Sequence, residues 1–117
     1  MYITRKKIGN KKQTKVAYWR KFNALHGWFV NKIQDGVDNW EAHPLKRADL
    51  VCLLNTLHTV SDTHDQNLMP PRGGCFSGNT IDEDIYFDNV ERSIPVVQDL
   101  IFNTDWQNAK LYYRSCW

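Results

Sequence analysis

The sequence predicts an α+β fold dominated by helix, with three helices over a small antiparallel sheet of two or three strands. Three observations predict it. Apolar residues recur three and four apart in three separate stretches, the repeat of a single helical face. The closing segment instead alternates, Leu111 and Tyr113 against Tyr112 and Arg114, as a short strand does. At 117 residues the chain makes one domain with a core that needs no metal or disulfide staple.

Taken in order, residues 1–13 (MYITRKKIGNKKQ) form a basic arm, either flexible or folded as an edge hairpin about Gly9 and Asn10. Residues 14–117 form the single globular domain. Residues 14–36 are read as its organising helix. Trp19, Phe22, His26, Phe29, Val30 and Ile33 make the apolar stripe, and Arg20, Lys21, Ala24, Gly27, Asn31 and Lys32 face water. Thr14 is the expected N-cap and Gly36 the left-handed stop.

A connection over residues 37–43 follows, with Trp40 tucked back on the core. Pro44 then opens a second helix at its first position. Leu50, Leu53, Leu54 and Leu57 give that helix its stripe, which runs to about Ser61. The first two helices are expected to be antiparallel neighbours. Residues 62–80 read as a long loop broken by Pro70, Pro71, Gly73, Gly74 and Gly78, with an extended piece at 75–77. A third helical pattern follows Asp82, Glu83 and Asp84, with Phe87, Val90, Ile94, Val97 and Ile101 on its stripe. Pro95 inside it should bend or split the helix, because it removes a hydrogen bond and clashes one turn back.

The net charge of +2 conceals an asymmetry: residues 1–21 carry +8 and no acid, leaving −6 on the rest. Three cysteines without a CxxC pair argue for a reducing cytosol, neither a disulfide framework nor a zinc knuckle being suggested. No apolar leader and no run long enough to span a membrane are present.

Candidate sites follow from residue chemistry. His26, between Phe22 and Val30, is either a ligand contact or a neutral core histidine bonded to a carbonyl or to Asn23. His58, Asp62, His64 and Asp65 have the density of a divalent-metal or small hydrolase site, but no second cluster completes one, so neither a metal nor a cofactor is assigned. The 70–78 loop offers Arg72 and bare backbone N–H groups without a Walker pattern. Arginines and aromatics, among them Trp19, Arg20, Arg72, Phe76, Tyr113, Arg114 and Trp117, are the residues that clamp nucleotides or dominate protein interfaces. Arg5, Lys6, Lys7, Lys11 and Lys12 could contact a phosphate backbone.

The segments YWRKFNALHGWFV (residues 18–30) and QDGVD (34–38) together with LMP, GGCFSG, DEDIYF and the closing LYYRSCW resemble a family of small, uncharacterised tailed-bacteriophage accessory proteins. The similarity spans residues 16–117. It implies a protein acting in the host cytoplasm and carries over no established activity. The leading expectation is a non-enzymatic binding protein that antagonises a host, anti-phage factor. It would bind a host protein or sequester a nucleotide second messenger at a homo-oligomer seam. Its surface would be drawn from Trp19, Arg20, Asn23, His26, the 70–78 loop and residues 113–117. The alternatives are nucleic-acid binding through the basic arm and a metal-dependent hydrolase or nuclease.

Overall fold

The computed structural model describes residues 1–19, 22–33, 42–69 and 83–114. In chain order the elements are β1 (Tyr2–Lys7), β2 (Gln13–Tyr18), α1 (Asn23–Lys32), β3 (His43–Leu45), α2 (Arg47–Thr63), α3 (Glu83–Asn103) and β4 (Ala109–Arg114). A 3-10 turn at Gln66–Leu68 follows α2. Among the described residues these make three α-helices and an antiparallel sheet. The sheet has four strands rather than two or three, in the order β2-β1-β4-β3.

The first thirteen residues are not a flexible arm. β1 lies inside the sheet, paired with β2 on one side and β4 on the other, and Ile3 is fully buried. The turn to β2 falls where Gly9 and Asn10 suggest it. Gly9 takes φ +84°, which glycine adopts without a Cβ penalty, and Asn10 Oδ1 accepts from Lys12 N at 3.0 Å.

The organising helix is shorter than its periodicity implied. Residues 13–18 form β2, so Thr14 caps nothing, and α1 begins at Asn23 after Phe22. Thr14, Val16 and Tyr18 suit a strand, and pairing with β1 decides the matter. Every residue of α1 from Asn23 to Val30 is buried, Ala24 and Gly27 included, so this helix has no single apolar stripe to display. Phe29 stacks on Tyr113 of β4 at 3.8 Å between ring centroids, and Phe22 meets Tyr86 of α3 edge-on at 6.3 Å.

Pro44 sits in β3 rather than at a helix start. On an edge strand its missing N–H leaves no ladder bond unmade. α2 starts at Arg47, where Asp49 Oδ2 accepts from Lys46 N at 2.8 Å. It buries Leu50, Leu53, Leu57 and Val60 and ends at His64, whose φ of 56° is left-handed. Its helical neighbour is α3, not α1.

Pro95 does not split α3, which runs unbroken from Glu83 to Asn103. Glu91, whose carbonyl Pro95 cannot serve, is exposed, and water can satisfy it. The buried stripe is Tyr86, Val90, Ser93, Val97 and Leu100, with Ile101 beside it. Phe87 and Ile94 pack at its margin. No helix among the described residues is long and apolar enough to cross a membrane.

Candidate nucleic-acid interface

The residues expected to form one binding surface are divided by the fold. Trp19, Asn23, His26 and Tyr113 are buried. His26 Nδ1 lies 2.6 Å from Tyr113 Oη, a partner that the sequence did not suggest. Trp19 Nε1 donates to Ser93 Oγ at 2.9 Å, tying the end of β2 to α3. Ser93 in turn donates to the Asn89 carbonyl at 2.7 Å, so a polar residue sits satisfied on the buried stripe. These are core contacts, and they remove Trp19, His26 and Tyr113 from any exposed surface. Arg114 is exposed at the end of β4. Arg20, Arg72, Phe76 and Trp117 lie outside the described residues, as does the extended piece at 75–77.

Helices cover one face of the sheet, and strand parity determines what the other face presents. On β4, Ala109, Leu111 and Tyr113 point into the core while Lys110, Tyr112 and Arg114 point away. Cross-strand partners share a face. Tyr2 therefore joins Arg114, Thr4 joins Tyr112 and Lys6 joins Lys110. On the far side, Tyr18 pairs with Tyr2, Lys15 with Thr4 and Gln13 with Lys6, and Pro44 of β3 lies against Tyr112.

A β-bulge makes this arrangement possible. The register between β1 and β2 shifts between Ile3 and Thr4, leaving Val16 as the extra residue of β2. Without it, Lys15 would share the parity of Ala17 and face the core. With it, Lys15 lies on the outer face, its ammonium 4.6 Å from the Tyr2 ring centroid and 5.3 Å from that of Tyr18. Thr4 Oγ1 donates to Gln13 Oε1 at 3.1 Å on the same face.

The outer face thus carries Tyr2, Tyr18 and Tyr112 interleaved with Lys6, Lys15, Lys110 and Arg114. Arg5 and Lys7 have core-side parity at the sheet margin, while Lys11 and Lys12 are exposed in the turn between β1 and β2. Strands β1, β2 and β4 and that turn hold eight lysines and arginines and no acid. The helices carry seven acids against three bases, among them Asp88, which pairs with Arg92 at 3.0 Å. The molecule is therefore polarised, with a cationic sheet backed by an acidic helical layer.

One turn leads into β4. Asp105, before β4, accepts from Gln107 N at 3.2 Å and from Asn108 Nδ2 at 2.8 Å. The Asn108 amide, together with backbone N–H groups of Gln107 and Asn108, holds the Asp105 carboxyl below the usual carboxylate range. On the opposite side of the molecule Tyr86 Oη donates to the Met69 carbonyl at 2.5 Å. Burial first, and the charge of Asp65 second, push the Tyr86 phenol up to about 12.

Other candidate sites are less developed. Among the described residues no group of three His, Cys, Asp or Glu side chains gathers to hold a metal. His64 stacks on Phe87 with ring centroids 4.3 Å apart, which accounts for its placement at the end of α2. A cleft of about 110 Å³ lies between Ala24, Gly27, Trp28, Asn31, Lys32, Leu68 and Met69. Of the other exposed large apolar side chains, Ile8 lies in the turn between β1 and β2, Leu68 in the 3-10 turn, and Ile85 and Phe102 near opposite ends of α3.

Compared with models of protein families, with curated proteins and with solved structures, the chain finds no match. Lys110 and the partnership of Tyr2, Tyr18 and Tyr112 were not singled out from the sequence. The signal that could have found them is the alternation of the last strand, which places Lys110, Tyr112 and Arg114 opposite the core.

Proposed function

We propose that this chain is a non-enzymatic nucleic-acid-binding protein whose working surface is the outer face of the sheet together with the turn between β1 and β2. One observation carries the reading: cations and tyrosines interleave on an exposed face that bears no acid among the described residues. Phosphates are met by Lys6, Lys11, Lys12, Lys15, Lys110 and Arg114, and the acidic helices keep the opposite side of the molecule clear of the polyanion.

A nucleic acid suits this face better than the expected antagonist of a host protein or nucleotide messenger. That expectation drew on Trp19, His26 and Tyr113, which are core. The setting implied by the resemblance, a bacteriophage accessory protein in the host cytoplasm, remains part of the proposal. There the chain would antagonise a host defence by covering the nucleic acid on which that defence acts.

The test is fluorescence anisotropy of a labelled oligonucleotide against salt. Six neutralised phosphates on a single strand predict a fall in affinity of roughly three-hundredfold between 50 and 200 mM salt. Lys6→Gln with Lys15→Gln should flatten that slope by about 1.4. No binding at low salt, or a slope unmoved by these substitutions, would overturn the reading.

A further inference from the structure

Phosphate contacts alone require only cations, yet three tyrosines share this face. We infer that the outer face selects single-stranded over duplex nucleic acid, by stacking bases on Tyr2, Tyr18 and Tyr112. The inference rests on the nucleic-acid reading above and gives its substrate class.

Position is the first argument. Tyr18 and Tyr2 are directly opposite on adjacent strands, and Tyr112 is diagonal to Tyr2 across the β1–β4 pair. Neighbouring strands lie about 5 Å apart, and successive residues on one face about 7 Å apart. Rings at such spacing match bases splayed from an extended backbone. In a duplex the bases are stacked on one another and closed to a side chain. A duplex could meet the cations of this face but not its rings.

Exposure is the second. Tyr18 is 59% exposed on an edge strand, where nothing in the core needs it, while its neighbour Ala17 fills the inner side. Tyr2 and Tyr112 are half-buried. A tyrosine serving only to close the sheet would not be left so open.

The third is the placement of Lys15. Its ammonium lies over the faces of Tyr2 and Tyr18 rather than at their edges, so the π-faces open onto the space beside the strands. An arriving phosphate attracts that ammonium more strongly than a ring does. Drawing it away uncovers two ring faces next to the phosphate it then holds, which is where the attached base lies. The bulge at Val16, which puts Lys15 on this face, thereby couples phosphate capture to base stacking.

The experiment compares one mixed-sequence, unstructured strand of about 12 nucleotides with the same strand annealed to its complement, by anisotropy at fixed salt. The single strand should bind roughly tenfold more tightly or better. Tyr18→Ala and Tyr112→Ala should each weaken single-strand binding by roughly tenfold and leave duplex binding unchanged, while Tyr18→Phe should retain it. Because Tyr18 is exposed, its variants should fold, and circular dichroism checks that they do. Equal affinity for strand and duplex, with Tyr18→Ala silent, overturns the single-strand inference while the nucleic-acid reading stands. Binding to neither form overturns both.

Discussion

Tyr112 and Tyr113 are adjacent in sequence and end in opposite environments. Tyr113 is fully buried, stacked on Phe29 and bonded to His26, while Tyr112 stands among lysines on the far side of the same strand. The two faces of the sheet differ in the same way throughout. The inner face is apolar, closed by helices and dependent on fit. The outer face is cationic and holds no acid among the described residues. The comparison teaches that a tyrosine here has no role of its own until strand parity assigns one. It also separates what keeps the protein folded from what it binds. Part of the outer face's charge has a second use: β2 is an edge strand, and its lysine and exposed basic turn discourage pairing with another chain.

That division breaks or sharpens under substitution. The largest effect is expected at Tyr113→Ala, which empties a fully enclosed site and should cost about 3–5 kcal/mol in urea denaturation. Tyr112→Ala should cost less than about 1 kcal/mol, and equal costs for the two would abolish the distinction.

Next comes a pH effect from the helical side. The Tyr86 phenol is pushed up to about 12, so the unfolded chain loses its proton first. The stability this neutral phenol contributes is present below pH 10 and is lost as pH rises from about 10 to 12. Two pKa units correspond to about 2–3 kcal/mol. Tyr86→Phe should remove this component of the alkaline loss in denaturation titrations.

Tyr113→Phe is a smaller change. It keeps the stack on Phe29 and deletes the 2.6 Å contact to His26, at a cost of about 1 kcal/mol. The smallest effect on stability belongs to the outer cations. Lys6→Gln, Lys15→Gln and Lys110→Gln should each stay within about 0.5 kcal/mol of the parent, yet weaken oligonucleotide binding.

Much of the fold was legible in the sequence. The leucines of α2 and the alternation of β4 mark their elements, and the glycine of the β1–β2 turn marks its hairpin. β2 was not legible, because Trp19 and Phe22 happen to continue the helical spacing of α1 backwards beyond its first residue. α1 itself, buried on all sides, has no polar face to define its limits. Ser93 was missed on the α3 stripe because its partner, Trp19, is 74 residues away. The candidate site was legible only in half. The cations of the first strands are visible as a run, but Lys110 and Tyr112 join them only through the β1–β4 pairing, which brings together the two ends of the chain. Lys15 joins through a bulge that parity alone would not suggest.

The most direct test of the central claim is an NMR titration of the isotopically labelled protein with a short single strand at low salt. Shifts concentrated at Tyr2, Thr4, Lys6, Lys15, Tyr18, Lys110, Tyr112 and Arg114, with α2 and α3 unmoved, are the predicted result. Shifts confined to the helices, or none at all, would contradict it.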